Sequence, residues 1–462
     1  MSRQGSTARS GALRVVHDWR DALVAVAAGL VAMAVTAALG LWAAGAAQLP
    51  DGAFPRVVAA VVVMAAGGTV ELFGNAGALA DTDAELAAMP LSVTLAGALA
   101  IGICFLRPLR HRAVAGTGEL LGRVARTTVL WLAALAAVTA LARQHFPIVT
   151  DTPADLIGEL LDATPTVGFG ADLGPTLLFG LLWVLGVLLA ALLVSRRAPL
   201  PSRLLHWQQP VRPAAFAMLL LLLAYVVIGL VAGLVVAATR GHPDRTFAVL
   251  LLGLPNIAWL ALGVGIGGSW EGKVEEPFGL PLPQVLDSVL RGQRNSTVDV
   301  RSLAAYDERA WWLVPIAAGL VLAAAFVMAV RSPAGVRLWR HAMHGGIAFA
   351  LTMLAICPVT RVHARYGLSL LGIGDIEEFG GEVVLKPHLW TIVALALLWG
   401  LVAGLLGGLL ASRVRRRGEV DADGREPGGT GMRTAEVPGA GRPGNGVTPR
   451  RRPGPRSTGR TG

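Results

Sequence analysis

Charged residues and cysteines are both scarce in this chain of 462 residues. Only 15% of the residues are charged, whereas soluble domains carry about 25%, so the chain cannot coat the several soluble domains that its length would suggest. Its two cysteines, Cys104 and Cys357, lie in separate apolar segments without the spacing of a zinc site. Disorder of the whole chain is also excluded, because 54% of the residues are hydrophobic.

Long apolar stretches are what the chain has in abundance, and its mean hydropathy is +0.60. A helix needs about 20 largely apolar residues to cross a bilayer, and most of the stretches reach or approach that length. The sequence therefore predicts an all-α polytopic membrane protein, a helical bundle in a lipid bilayer. The apolar stretches are about 22–47, 55–72, 89–106, 127–142, 175–194, 214–238, 246–268, 311–330, 342–358 and 389–410.

The net charge of +10 lies mainly at the two ends of the chain. Segment 1–21 has a net charge of +2 and segment 412–462 a net charge of +7, which leaves +1 for the body between them. Nucleic-acid binding would need clustered cations on a folded face or a known motif. Neither is present, so no nucleic-acid partner is predicted. Segment 412–462 is rich in Gly, Pro and Arg, and we expect a disordered basic tail.

Arginine-rich connections indicate which side of the membrane each loop occupies, because cytoplasmic loops are enriched in Lys and Arg. Segments 107–126, 195–213 and 331–340 carry five, four and three arginines, respectively. Segments 71–88 and 143–172 are instead rich in acidic residues. The first group is therefore predicted to face the cytoplasm and the second group to face outward.

Eight full spans satisfy this arrangement if segments 55–72 and 246–268 are re-entrant or broken, entering from the outside and returning to it. Both termini, including residues 1–21, are then cytoplasmic. Ten full spans are the alternative, and they would place 107–126 and 195–213 outside.

The order of spans, turns and arginine clusters occurs twice, which predicts two parallel membrane repeats, 22–198 and 199–411. The sequence GGTVE at 67–71 matches GGSWE at 267–271, at equivalent points of the two repeats. The second repeat has a longer external connection, 269–310, in which apolar residues at helical spacing predict an amphipathic helix.

Two glutamates follow paired glycines at the ends of apolar segments: Glu71 after Gly67 and Gly68, and Glu271 after Gly267 and Gly268. Paired glycines let the backbone bend, and a carboxylate in a dehydrated vestibule can bind a cation or carry a proton. The alternative is that each glutamate marks the water interface.

Pro255 and Asn256 interrupt the apolar segment 246–268 near its middle. Proline removes a helix hydrogen bond, and an asparagine can satisfy a freed backbone group or contact a polar ligand. A purely structural kink is the alternative interpretation.

No motif of an enzyme or a metal site is present in a suitable context. The acids Asp81, Asp83 and Glu85 alternate as in a calcium loop but lack its glycine and its bidentate glutamate, so a solvated external turn is predicted. A P-loop, an HExxH helix, a nucleophile elbow and a dinucleotide fingerprint are all missing. The sequence therefore predicts no catalytic residues, no metal and no cofactor, and an enzyme is the third interpretation of the chain.

Two stretches are similar to a known family. They are GGTVELFGNAGALADTDAELAAMPLSVTLAGALAIG at 67–102 and LPNIAWLALGVGIGGSWEGKVEEPFGLPLPQVLDSVLRG at 254–292. Both resemble the streptophobe family, very hydrophobic multi-pass proteins of high-GC filamentous bacteria, and the resemblance covers about 20–411. It implies an integral protein of a bacterial cytoplasmic membrane, and it implies no activity, because none is assigned to the family.

The leading functional hypothesis is a transporter-like or channel-like protein for a small solute or ion. Glu71 and Glu271 would line the pathway, with Asn256 as a polar partner. The alternative is a non-catalytic membrane scaffold that acts through its loops or basic tail. Its cytoplasmic arginine clusters would then contact anionic lipid.

Overall fold

The structure is a computed structural model that describes most of the chain up to Arg413. The predicted amphipathic helix of the 269–310 connection and nearly all of the predicted tail 412–462 lie outside the described residues. The described residues are 3–49, 52–75, 80–108, 117–147, 166–195, 202–239, 243–274, 296–333, 335–370 and 381–413.

Helices make up most of the described chain, which confirms the predicted all-α membrane bundle. Eight of them are long and apolar enough to cross a membrane. Large apolar side chains on their outer faces are exposed, for example Leu182 at 59%, Val231 at 57% and Leu398 at 58%, as expected for helices that contact lipid. The α-helices are α1 (Arg3–Ala43), α2 (Ala53–Ala65), α3 (Leu91–Leu106), α4 (Thr117–Leu141), α5 (Leu173–Val194), α6 (Ser202–Thr239), α7 (Pro243–Gly265), α8 (Val300–Tyr306), α9 (Leu313–Arg331), α10 (Leu338–Val359) and α11 (Leu389–Ser412).

An eight-stranded antiparallel sheet joins the connections at one end of the bundle. Sequence patterns did not predict these strands, and the predicted external turn at 81–85 was wrong, since those residues lie in β2. The strands are β1 (Val70–Asn75), β2 (Ala80–Ala88), β3 (Gln144–Pro147), β4 (Thr166–Ala171), β5 (Trp270–Val274), β6 (Ser296–Val298), β7 (Val362–Leu370) and β8 (Gly381–Pro387). Their spatial order is β3-β4-β1-β2-β7-β8-β5-β6.

The order of the strands has a regular form. The first four strands in space come from the first half of the chain and the last four from the second half. Within each group the third strand in space is the one that follows α2 or α7, which is β1 or β5. The second strand is the one that leads into α5 or α11, which is β4 or β8. Because all neighbours are antiparallel, corresponding strands of the two groups run in the same direction.

Two ends of the bundle can be distinguished, and we call them the sheet end and the arginine end. The sheet end carries β1–β8. The arginine end carries the arginines that lie where α3, α4 and α9 meet the opposite surface, among them Arg107, Arg123, Arg126 and Arg331. Arg123 and Arg126 form ion pairs there with Asp21 and Asp18 of α1, at 3.8 and 3.2 Å.

Packing contacts give the direction of the helices that no strand adjoins. α1 is antiparallel to α3, since Gly29 faces Ile101 and Met33 faces Gly97. Because α3 directly follows β2, α1 runs toward the sheet end. α6 does the same, because its Phe216 contacts Arg331 at the arginine end of α9.

Both α2 and α7 therefore begin and end at the sheet end. Each starts a few residues after a helix that has reached that end, and each is followed directly by a strand, β1 or β5. The crossing helices are then α1, α3, α4, α5, α6, α9, α10 and α11. Length and hydropathy also select eight helices, but they take the longer α7 in place of the 16-residue α3. The chain direction shows that α3 crosses from the sheet end to the arginine end, whereas α7 starts and ends at the sheet end.

A single sheet also excludes the alternative of ten full spans. That arrangement would put 71–88 and 143–172 on one side of the membrane and 269–310 on the other. β1, β2, β4, β5 and β6 come from these segments and lie in one sheet, and one sheet cannot occupy both sides of a bilayer. Eight full spans with two re-entrant segments agree with the structure.

Candidate functional site

The paired glycines end the two re-entrant helices in the same way. Gly67 and Gly267 have left-handed φ angles of 96° and 92°. The Gly67 N–H donates to the Met64 carbonyl at 2.9 Å and the Gly68 N–H to the Val63 carbonyl at 3.0 Å. This pair of bonds defines the Schellman motif, in which a glycine takes the left-handed position after the helix.

The same bonds recur after α7. Gly267 donates to the Val264 carbonyl and Gly268 to the Gly263 carbonyl, both at 2.9 Å. A Cβ at Gly268 would lie 2.7 Å from the Gly263 carbonyl oxygen and 2.8 Å from Cγ1 of Ile392. The four predicted glycines thus terminate helices against neighbouring helices, which is a packing role.

Pro255 and Asn256 form a joint between α7 and the start of α3. The side-chain oxygen of Asn256 accepts a hydrogen bond from the Leu91 N–H at 3.1 Å, and its NH₂ group donates to the Met89 carbonyl at 2.9 Å. Ser92 accepts from the Leu254 N–H at 3.2 Å and donates to the Leu250 carbonyl at 2.9 Å. Its hydroxyl therefore bonds to both backbone groups that a regular helix bond would join.

This joint gives Asn256 a structural role beside the kink at Pro255, which was the alternative to a contact with a polar ligand. Both polar atoms of the Asn256 amide have protein partners, so the amide satisfies the first turn of α3, whose N–H groups lack helix partners. Sequence reasoning missed Ser92, because a lone serine before an apolar run gives no sign of a partner 158 residues away.

Glu71 and Glu271 lie on exposed positions of two strands of the sheet. Successive side chains of a strand point to opposite faces. Val70 and Trp270, which precede the glutamates, are 5% and 1% exposed and face the bundle. The two glutamates face away from it.

The structure does not bring the two glutamates together. Strands β2, β7 and β8 separate β1 from β5, and four strand spacings of about 4.8 Å put the two backbones roughly 19 Å apart. Each glutamate therefore has its own surroundings. Glu271 lies opposite Lys386 on β8 and Thr297 on β6.

Glu71 belongs to a row of charged residues that crosses three strands. It lies directly opposite Glu85 on β2, and Glu85 lies directly opposite Arg365 on β7. The three side chains line a cleft of about 340 Å³ together with Leu72, Phe73 and Ala84. We call Glu71, Glu85 and Arg365 the charged row.

The charged row can take part in polar recognition at the surface. Two carboxylates directly opposite each other repel, and a cation beside them offsets part of that repulsion. A basic or hydrogen-bond-donating group of a partner could bind the same carboxylates. Within the described ranges, no group of three or more His, Cys, Asp and Glu side chains is arranged to hold a metal ion.

Comparison with known proteins gives no match: no family model, no curated protein and no solved structure is significantly similar to this chain. The resemblance to the streptophobe family stays a prediction from the two quoted stretches.

Proposed function

We propose that this chain is a multi-pass protein of a bacterial cytoplasmic membrane, of the streptophobe type, that acts as a non-catalytic interaction platform. The observation that carries the proposal is the sheet, to which both halves of the chain contribute and which presents the exposed charged row. The polar residues that could have lined a pathway are either held by backbone partners, as Asn256 is, or lie on this surface, as Glu71 and Glu271 do.

The sheet end faces the outside in this proposal. Arginine-rich connections favour the cytoplasmic side, and the arginine end is opposite the sheet. α1 begins and α11 ends at the arginine end, so both termini are cytoplasmic.

We also infer that the chain consists of two parallel repeats, 22–198 and 199–411. Three features support a duplication: the strand order of the two groups is the same, their strands run in the same directions, and the paired glycines make equivalent hydrogen bonds. Parallel repeats of this kind place both re-entrant helices at the same membrane surface.

Site-specific photo-crosslinking in the native membrane tests the platform. A photoreactive amino acid at Glu85 or Arg365, both exposed on the charged row, should give discrete, light-dependent protein adducts, and Glu71→Lys should reduce them. The same probe at Leu182 or Val231, which are exposed on lipid-facing helices, serves as the control. The platform is wrong if all four positions give only lipid adducts.

Transport of a small solute or ion is the second candidate, and the re-entrant helices favour it. Broken or re-entrant helices are the elements from which transporters commonly build sites, and α7 contains Pro255 within its length. Tracer flux into liposomes is the test. Flux that Glu71→Gln and Glu271→Gln abolish would support a pathway, whereas no flux for a broad panel of ions and solutes would end this hypothesis.

A further inference from the structure

The connection between β6 and α9 is longer than its counterpart in the first half of the chain. β2 and β6 are each the fourth strand of their group. β2 ends at Ala88 and α3 begins at Leu91, whereas β6 ends at Val298 and α9 begins only at Leu313. The second half thus has a folded stretch here, residues 299–312, that the first half lacks. We call it the 299–312 segment.

The 299–312 segment is fixed to the bundle at its start. It contains α8 and a short 3-10 helix. The Asp299 carboxylate accepts a hydrogen bond from the Ser302 N–H at 2.7 Å, and the Ser302 hydroxyl accepts one from the Asp299 N–H at 2.9 Å, which is a capping box. Val300 and Leu303 of α8 are buried in the hydrophobic core of the second half. One side of the segment is therefore part of the folded bundle.

Three large aromatic side chains of the same segment are exposed. Tyr306, Trp311 and Trp312 are each more than half exposed. Trp312 directly precedes α9, which crosses the membrane, so chain connectivity holds these rings near the level at which α9 enters the apolar layer. Trp and Tyr are enriched at this level, because the ring is apolar while its N–H or O–H can reach water.

Tryptophans of other helices mark the same level. Trp42 lies at the sheet end of α1 and Trp390 at the sheet end of α11, and both are more than half exposed. Trp19 is exposed near the arginine end of α1, 23 residues before Trp42. At about 1.5 Å per residue the two levels are about 34 Å apart, which is close to the ~30 Å hydrocarbon core of a bilayer. The exposed tryptophans thus lie at its two boundaries.

We infer that the 299–312 segment is an interfacial anchor that sets Tyr306, Trp311 and Trp312 into the headgroup layer of the leaflet at the sheet end. Its partner is the lipid surface, which the three rings enter from beside the last strand of the sheet, β6. The buried side of α8 connects the rings to the core of the second half. The inference is independent of the proposed platform, because it does not involve the charged row.

Spin-label accessibility of the full chain in phosphatidylcholine–phosphatidylglycerol vesicles tests the depth of the segment. Ala305 is exposed beside Tyr306, so a nitroxide at Ala305→Cys, in a background without the two native cysteines, leaves all three rings in place. It should collide with both oxygen and a water-soluble nickel complex, at a depth of about 5–10 Å from the headgroup–acyl boundary. Two positions calibrate the scale: Leu182→Cys, exposed on a lipid-facing helix, should meet mainly oxygen, and Glu85→Cys, exposed on the sheet, mainly nickel.

Removing the rings tests whether they hold the segment at that depth. Trp311→Ala with Trp312→Ala should move the Ala305→Cys label toward water and raise its ratio of nickel to oxygen collisions at least about twofold. Phe at both positions keeps an apolar ring without the N–H and should give an intermediate ratio. Trp339→Ala is the matched control, since Trp339 is similarly exposed but lies at the arginine end of α10, and it should not move the label. If the double variant does not fold, each single variant makes the same test with a smaller shift.

Three results would overturn the inference. Nickel collisions at Ala305→Cys as frequent as at Glu85→Cys would place the segment in water. Protection from both reagents would mean that another protein or a second copy of the chain covers the rings. An unchanged label depth without the rings of Trp311 and Trp312 would mean that they do not anchor the segment. None of these results bears on crosslinking at the charged row, so the anchor and the platform can fail separately.

Discussion

At the scale of single residues, Asn256 joins two helices through both polar atoms of its amide. Asn256→Leu would leave the Leu91 N–H without this acceptor, so we expect a loss of about 1–2 kcal/mol in the free energy of unfolding. Thermal unfolding in detergent measures it. Thr352→Val is the control, since its hydroxyl bonds only to Ala348 of its own helix and should change stability by less than about 0.5 kcal/mol.

An unchanged unfolding temperature for Asn256→Leu would contradict the joint. If the same variant then lost solute flux, Asn256 would be a pathway residue after all, which is the reading that its hydrogen bonds argue against.

The second glycine of each pair, Gly68 after α2 and Gly268 after α7, should respond differently to substitution by alanine. A Cβ at Gly268 would meet a backbone carbonyl, whereas at Gly68 the nearest atoms, at 2.6 and 2.7 Å, are side-chain atoms of Val63 and Thr176. Side chains can shift and a cap carbonyl cannot. We expect Gly268→Ala to destabilise by about 2–3 kcal/mol and Gly68→Ala by about 1 kcal/mol.

Denaturation in detergent measures this difference. Gly319→Ala is the control, since a Cβ there has no neighbour within 4 Å, and it should be neutral or stabilising by up to about 1 kcal/mol. Equal losses for the two cap variants would show that the Gly263 carbonyl yields as easily as a side chain.

At the scale of the elements, the pairing of β2 with β7 joins the two halves of the sheet, and the charged row crosses it. Arg365→Glu would place three carboxylates in a row. Because like charges directly opposite repel, we expect the free energy of unfolding to fall by a few tenths to about 1 kcal/mol. The cost should shrink in high salt, because exposed charges are screened. The double variant Glu85→Arg with Arg365→Glu places the one cation between two carboxylates and should recover at least the loss in thermal unfolding. No recovery would mean that Arg365 stabilises the sheet through packing and not through charge.

The strands were hidden in the sequence for a physical reason. Asp81, Asp83 and Glu85 alternate with less polar residues, and alternation of this kind is typical of a half-exposed strand. The three acids taken alone instead predicted a solvated turn. β6 has only three residues and β3 only four. Such short strands lack enough residues for a pattern, and their pairing joins segments far apart in the chain.

At the scale of the whole molecule, the hydrophobic pattern was sufficient to predict the helical bundle, and it gave ten apolar stretches. Arginine distribution selected eight full spans, and chain direction in the structure agrees. The roles of the candidate residues could not be derived in this way. Asn256 depends on backbone groups of α3, and the separation of Glu71 from Glu271 depends on three strands lying between them. Both depend on which distant segments of the chain pack together, and a local sequence pattern does not contain that information.

The sidedness of the molecule gives the last prediction. With eight spans, Glu85 lies outside and Arg107 inside, whereas ten spans would reverse both. In a Cys104→Ala, Cys357→Ala background, a membrane-impermeant maleimide should label Glu85→Cys in intact cells and Arg107→Cys only after lysis. Thr297→Cys and Arg340→Cys are the controls, because both topologies put residue 297 outside and residue 340 inside. Labelling of Arg107→Cys but not Glu85→Cys in intact cells would mean that the sheet cannot form in the membrane, since β2 and β6 would then face opposite compartments.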